Sequence, residues 1–280
     1  MIQDIKPNRL YNSYDTCEPD LESYIIFVQG TSILCKIVDG WLYIPQYSEC
    51  NLDDHRYLIR IDKHYFFSSW DATAIGMLER AGYEFHNIKD LRETQPKWLR
   101  FGAMTGFSIA SWYEKNRYCG RCGAAMEHSE IERAVKCPEC GNLVYPKICP
   151  VVIVGVIRGD KLLLAKYKDR MNLNRYALIA GFAEIGETIE QTVAREVFEE
   201  TGVRVKNLKF YKSQPWAFSD SLLFGFYCEE DGDENAKPDG TELGFASFMD
   251  REDVPALQDE VSLTAEMMDR FKRLGREVLK

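Results

Sequence analysis

The chain has no apolar run that could cross a bilayer. About 18 consecutive residues are needed for that, and the longest run here, 151–157, has the length of a buried strand. Positive charge is not in excess either: the formal net charge is −9. This argues against a dedicated polyanion binder, because nucleic-acid affinity rests on Lys and Arg neutralising phosphates, although a local basic groove is compatible with that balance. The opening Met1-Ile2-Gln3-Asp4 lacks the basic-then-apolar layout of a secretion signal. We therefore expect a cytoplasmic protein with no membrane partner. Internal repeats and low-complexity tracts are absent, and His55, His64, His86 and His128 fall in no motif.

In bulk the chain is ordinary for a globular protein. It has 280 residues, 45% of them apolar and 28% charged, a length that suggests two or three folded units. Residues 1–115 show apolar stretches at 23–28, 32–38, 41–44 and 57–61, which read as short strands. Helical patterns follow at 73–81 and 96–115. No polar cluster converges in this region, so a packing or dimerisation domain is expected. Residues 116–146 carry two close cysteine pairs. From 147 to 280 the order is a β-branched strand (151–157), a hairpin signal at Arg158-Gly159-Asp160, strands at 161–165 and 176–179, then a glycine loop. A helix (188–201), strands at 209–213 and 222–229, and a closing helix (263–279) complete it. This order predicts an α+β or layered sandwich fold.

Cys119-Gly-Arg-Cys122 and Cys137-Pro-Glu-Cys140 are CxxC knuckles a short connector apart. Each pair can take two corners of a tetrahedron, so four thiolates close the shell of one Zn²⁺ per chain. A full shell leaves no open position, which makes the role structural. A redox pair or two disulfides are the alternatives. Cys17, Cys35, Cys50, Cys149 and Cys228 lack partner spacing and read as small buried apolar residues.

The stretch from Gly181 to Val203, GFAEIGETIEQTVAREVFEETGV, is the most informative. Glu196, Glu199 and Glu200 stand three and four apart, so on a helix they share one face. Val193, Ala194, Val197 and Phe198 are expected to fill the neighbouring, packed arc. Three acids so close repel one another unless cations lie between them, and hard ions such as Mg²⁺ or Mn²⁺ take oxygen ligands of this kind. A solvated acidic face is the plainer alternative.

The whole array resembles the box of the Nudix hydrolase superfamily: Gly181, Glu187, then Arg195-Glu196-Val197-Phe198-Glu199-Glu200-Thr201-Gly202-Val203. The resemblance implies an α/β/α sandwich with a mixed sheet over 147–280, and metal-dependent splitting of a pyrophosphate bond. It implies that Glu196 and Glu200 bind metal, and that Glu199 either binds metal or helps activate the attacking water. Gly181 is expected to permit a tight loop and close backbone approach. Gly202 suits a left-handed helix cap, and Arg195 is expected to pair with Glu187.

Beyond the box, Ser213-Gln214-Pro215-Trp216-Ala217-Phe218-Ser219-Asp220-Ser221 resembles the SQPWPFPxS array of the NADH pyrophosphatase family. Ala217 and Ser219 replace its two later prolines. Trp216 and Phe218 could stack on a base or nicotinamide ring, with Gln214 and Ser221 as polar partners. The order of an N-terminal α+β domain, a four-cysteine zinc ribbon and a Nudix domain resembles the same family. That resemblance further implies Glu242 as a late metal-binding acid and Ala180 as a backbone carbonyl ligand. It implies Phe182 as a stacking aromatic, Ala265 as a pocket residue, and Tyr145 as a residue reaching ligand in a partner subunit. The function implied is hydrolysis of NAD(H) to the nicotinamide mononucleotide and AMP, with removal of NAD caps from RNA, by a homodimer. The alternatives are a Nudix hydrolase of ADP-ribose or diadenosine polyphosphates, and a non-catalytic nucleotide sensor.

Overall fold

The computed structural model describes residues 1–50, 52–172, 175–233, 235–257 and 259–280. The chain forms two compact units, one of Gln3–Lys147 and one of Ile148–Lys280 together with Met1–Ile2.

The C-terminal unit is a mixed sheet between helices. Its strands are β1 (Cys149–Arg158), β2 (Lys161–Tyr167), β3 (Ile179–Phe182), β4 (Val205–Trp216), β5 (Ser221–Glu230) and β6 (Leu243–Asp250). The spatial order is β4-β5-β1-β2-β6, with β3 also pairing on β1. Only β1 and β5 run parallel, in register from Cys149↔Ser221 to Ile157↔Glu229; the other pairs are antiparallel. Helix α1 (Ile189–Thr201) and helix α2 (Leu263–Leu274) supply the outer layers.

Strand residues alternate faces, and β1 shows the result directly. Val151, Ile153 and Ile157 enter a core with Leu263, Met267, Met268 and Phe271 of α2. Val152, Val154 and Val156 enter a separate core with Val193 and Val197 of α1. The strand is apolar at nearly every position because both of its faces are buried. The fold is thus the expected mixed-sheet sandwich.

Three local expectations need correction. The third strand is Ile179–Phe182 rather than 176–179, and Ala177 makes only an isolated bridge to Ala165. Gly181 therefore lies inside a strand, opposite Val152, and not in a tight loop; the left-handed glycine nearby is Gly186, at φ +99°. The closing helix stops at Leu274, where Gly275 turns to φ +55° and a 3-10 segment follows.

The N-terminal unit holds two four-stranded sheets. One pairs Leu10–Tyr11, Arg56–Ile61, His64–Ser68 and Tyr24–Ile26; the other pairs Val28–Gln29, Ser32–Val38, Trp41–Tyr43 and Glu84–Asn87. The long helix Lys97–Lys115 lies close on the first sheet. At Gly102 an added Cβ would sit 2.4 Å from the Phe66 ring, so only glycine allows that approach. Three two-residue strands, Glu127–His128, Val135–Lys136 and Leu143–Val144, form the antiparallel core of the cysteine segment. Among the described residues no helix is long and apolar enough to cross a membrane.

Candidate active site and zinc ribbon

The four cysteines converge. Their sulfurs all lie within 4.8 Å of one another, with Cys119–Cys140 at 3.6 Å and Cys122–Cys137 at 3.4 Å. Bonds of about 2.3 Å at tetrahedral angles place thiolates about 3.8 Å apart around Zn²⁺, so the quartet fits that ion. Each knuckle closes with the same backbone bond, Gly123 N–H to the Cys119 carbonyl at 2.8 Å and Gly141 N–H to the Cys137 carbonyl at 3.0 Å. Both glycines have left-handed φ, +79° and +70°. The Arg121 amide and the Asn142 side chain donate to the Cys119 sulfur, partners that favour a thiolate. Among the described residues this is the group whose ligand atoms draw together as a metal shell requires. The zinc-ribbon reading stands, with a structural ion.

Helix α1 starts at a capping box, in which Thr188 accepts from the Gln191 amide and Gln191 accepts from the Thr188 amide. It ends at Gly202, φ +71°, whose amide donates to the Phe198 carbonyl. The packed stripe differs from the expected one. Thr192, Val193, Val197, Glu200 and Thr201 are buried, whereas Phe198 is 49% exposed and Ala194 is exposed too. The steps from 193 to 197 to 200 continue one helical face, so Glu200 occupies a core-facing position that an apolar residue would ordinarily fill.

That placement governs the electrostatics. Arg195 makes a fork: its Nε and Nη2 donate to Glu187 at 2.6 and 2.9 Å, and its Nη1 donates to Glu196 at 2.7 Å and to Glu199 at 2.9 Å. Its Nη2 also donates to the Phe182 carbonyl at 2.9 Å, tying the helix to β3. The fork holds the Glu187 carboxyl down at about 2. Burial raises Glu196 in spite of Arg195. Glu200 receives nothing from the fork. It is 6% exposed, its Oε2 has no hydrogen-bond partner, and burial, followed by the charges of Glu196, Glu242, Asp239 and Glu199, pushes it up to about 8.

Gly181 provides the space for this arrangement. An added Cβ would lie 1.9 Å from the Glu196 carboxyl carbon, so the acid rests directly on the strand backbone. A buried carboxylate without a counter-charge, in the field of four further carboxylates, suits a hard divalent cation. The residues present therefore fit Mg²⁺ or Mn²⁺, with Glu196, Glu200, Glu199 and Glu242 as the acids in reach of a shared field.

The second array runs from strand into turn. Ser213 to Trp216 belong to β4, Ala217 to Asp220 form the turn, and Ser221 opens β5, paired with Trp216. Asp220 takes the left-handed conformation, φ +50°, and its carbonyl accepts from the Cys149 amide at 2.8 Å. The Trp216 and Phe218 rings lie 4.7 Å apart at 57°, half-buried. Pro215 and Ser219 are exposed, and Ser221 is turned inward, donating to the Ser219 carbonyl at 3.0 Å.

Gln214 differs from expectation. It is fully buried, donating through Nε2 to the Val261 carbonyl at 2.7 Å and accepting through Oε1 from the Leu263 amide at 2.7 Å. Its amide fastens β4 to the start of α2, three residues from the turn. Ala265, on the first turn of α2, is also buried.

Phe182 is half-exposed and follows Ala180 on β3, where Ala180 pairs with Ile153. Tyr145 belongs to the other unit, is half-exposed, and its hydroxyl donates to Glu132 at 3.1 Å. Two residues near the site escaped sequence reasoning. Asp259, ion-paired with Arg175 at 2.7 Å, accepts from the Val261 and Ser262 amides and so shapes the entry to α2. Asp239 does the same for the loop bearing Glu242. Their signal was present as an Asp two to four residues ahead of the amides it caps.

Residues 148–271 match the family model described as NUDIX domain, and residues 114–145 match that of the NADH pyrophosphatase zinc ribbon domain. The chain is 43% identical over 152 residues to the NAD-capped RNA hydrolase NudC of Pectobacterium carotovorum subsp. carotovorum (strain PC1), covering 54% of this chain and 58% of that protein. It is 45% identical over 131 residues to the protein of the same name from Haemophilus influenzae (strain PittGG), covering 46% and 50%. The chain thus spans about half the length of the curated relatives it matches. Among solved structures it is similar in fold to a NUDIX hydrolase from Nitrosomonas europaea, with a TM-score of 0.50 and 22% identity over 57% of this chain and 93% of the other.

Proposed function

The C-terminal domain of this chain belongs to the Nudix family and follows a zinc ribbon of the NADH pyrophosphatase type, and from that premise we propose that the protein hydrolyses the diphosphate of NAD(H). The products are the nicotinamide mononucleotide and AMP. An NAD cap on RNA offers the same diphosphate and is proposed as a second substrate, leaving a 5′-monophosphate end. The relatives named NAD-capped RNA hydrolase support this reading over roughly half their length.

The observation that carries the proposal is the buried carboxylate of Glu200, whose Oε2 has no hydrogen-bond partner, on the helix that also bears Glu196 and Glu199. In the reaction a water oxygen bonds to one phosphorus, the bridging P–O bond breaks, and the bridge oxygen leaves with the other phosphate. Mg²⁺ or Mn²⁺ held by Glu196, Glu200 and Glu242, with Glu199 and the Ala180 carbonyl as further ligands, would neutralise the diphosphate and lower the pKa of the attacking water. The protein's own part is mainly positioning. Arg195 fixes the spacing of Glu187, Glu196 and Glu199, and Gly181 lets Glu196 lie against β3. Glu199 has the most exposed side chain of the acids on the fork, at 58%. It either accepts the water's proton or completes the cation shell.

For recognition, Trp216 and Phe218 offer adjacent ring faces, and Phe182 a third on β3. Pro215, Ala217, Ser219, Asp220 and Ser221 shape the turn that presents them. We place Ala265 behind this recognition surface and Tyr145 in a homodimer, where a partner's copy would approach the ligand. The division into residues 1–115, a ribbon at 116–146 and a catalytic domain at 147–280 belongs to the same proposal, with the first segment as scaffold.

The test is a product assay. Purified protein with Mg²⁺ or Mn²⁺ is given NADH, NAD-capped RNA, ADP-ribose and diadenosine tetraphosphate in parallel, and products are separated chromatographically. Preferential release of AMP and reduced nicotinamide mononucleotide is expected. Faster turnover of ADP-ribose or the diadenosine compound would replace the substrate assignment, and tight NADH binding without turnover would point to a sensor.

A further inference from the structure

We propose that Asp239 is a positioning residue that locks the loop bearing Glu242 to the end of the helix bearing Glu200; this rests on the reading of those two acids as cation ligands. The two acids come from different elements and are separated by 41 intervening positions of chain, so something must set their relation. Helix α1 ends with carbonyls that have no intrahelical partner. The incoming loop supplies two of the missing donors: the Lys237 amide to the Thr201 carbonyl at 2.9 Å, and the Asp239 amide to the Glu200 carbonyl at 3.0 Å.

From there the Asp239 side chain reaches forward. Its carboxylate accepts from the backbone amides of Thr241 at 3.1 Å, Glu242 at 3.0 Å and Leu243 at 2.9 Å, and from the Thr241 hydroxyl. A single residue therefore links the backbone of Glu200 to that of Glu242 through two consecutive hydrogen bonds. Lys168 closes the other side, with its amide donating to the Glu242 carbonyl at 2.9 Å and its Nζ to the Gly240 carbonyl at 3.0 Å. Leu243, next in the chain, is 1% exposed and anchors the start of β6.

Charge does not account for an aspartate here. A further anion beside Glu196, Glu200 and Glu242 adds repulsion to a site already crowded with carboxylates. What aspartate brings is a pair of acceptor oxygens at the reach needed to gather three successive amides. Outer partners of metal-binding side chains typically change metal affinity by about 10–100-fold when removed, and the expected effects fall in that range.

The test compares wild type, Asp239→Ala and Asp239→Asn in the full chain. Readouts are Mn²⁺ binding by calorimetry without substrate, hydrogen exchange of the segment 239–244, and NADH kinetics. Asp239→Ala should weaken Mn²⁺ binding by about 10–100-fold and speed exchange in that segment while the 189–201 helix stays protected. kcat should fall with KM for NADH within about threefold, because the recognition turn is untouched. Both variants keep the backbone amide bond to Glu200, and Asp239→Asn, which keeps one of the two acceptor oxygens, should fall between alanine and wild type in Mn²⁺ affinity. Wild-type Mn²⁺ affinity in the alanine variant overturns the proposal, as does an asparagine variant as weak as alanine. Exchange that quickens throughout 189–201 also overturns it, by showing a general structural role. If the wild type binds Mn²⁺ yet turns over no NADH, the proposed activity fails while the Mn²⁺ and exchange comparison still decides the role of Asp239.

Discussion

Replacing Gln214 with Leu separates a clamp from a ligand contact. The side chain is fully buried, and its amide serves one carbonyl, Val261, and one amide, Leu263, each at 2.7 Å. Leucine fills similar space without either bond. The Leu263 amide then loses its acceptor, at about 1–3 kcal/mol, less the small gain from burying an apolar side chain, while the Val261 carbonyl keeps its bond from the Ile2 amide at 3.0 Å. The expected loss is about 1–3 kcal/mol of unfolding free energy, read from urea titrations followed by tryptophan fluorescence. The substrate readout should move differently. Because the amide faces backbone, the preference for NADH over ADP-ribose should change by no more than about threefold, whereas loss of a hydrogen bond to the nicotinamide would cost about tenfold or more. An unchanged unfolding midpoint together with a collapsed NADH preference would refute the clamp.

Glu200→Gln should reduce NADH turnover by about three orders of magnitude with the fold intact, measured by AMP release, since it removes charge but little volume. The same carboxyl makes metal-free stability depend on pH. Its folded value, raised to about 8 from an ordinary 4.5, gives stability that is fully present below about pH 4.5 and lost as pH rises through 8, by up to roughly 4–5 kcal/mol. Urea unfolding in EDTA should therefore weaken from pH 5 to 8 in wild type and much less in Glu200→Gln; equal slopes would contradict the burial argument. Gly181→Ala places a methyl within the Glu196 carboxylate and should cost about 1–3 kcal/mol together with most of the activity, checked by thermal melts and turnover. Cys119→Ser should lower zinc content below one per chain and reduce the melting temperature, by metal analysis and calorimetry; full zinc content would undo the ribbon.

Much of the C-terminal domain was legible because its signals are local. The helix 188–201 carried its terminal glycine and its acids in sequence, and the structure makes Thr188 its cap, in a capping box with Gln191 that was not read. The orientation of that helix was less legible. Val193, Val197 and Glu200 share one stripe, but a glutamate in an apolar series reads as surface unless a reason to bury it is known. Strands defined by distant partners were read worst. Leu243–Asp250 pairs with Lys161–Tyr167 at the sheet edge, and Gly244 interrupts the alternation that would mark it. Glu84–Asn87 went unread because its partner, at 32–38, is set by tertiary pairing; His64–Ser68 went unread although it closes a two-residue hairpin with 56–61. Val205–Trp216 runs well beyond the expected 209–213 as an edge strand with mostly polar, exposed positions, where apolar periodicity is silent. The bonds from Gln214 to Val261 and Leu263 were not legible, because a motif names residues without saying which way they face.

The alternation of β1 carries a consequence for how this domain tolerates change. Odd positions 151, 153 and 157 support the half behind the aromatic turn, and even positions 152, 154 and 156 support the half beneath the acids. A substitution of one parity disturbs mainly one half, so the aromatic turn can drift while the acidic helix keeps its footing. A one-residue insertion in this strand has the opposite effect: every side chain beyond it exchanges sides, and both halves lose their support together.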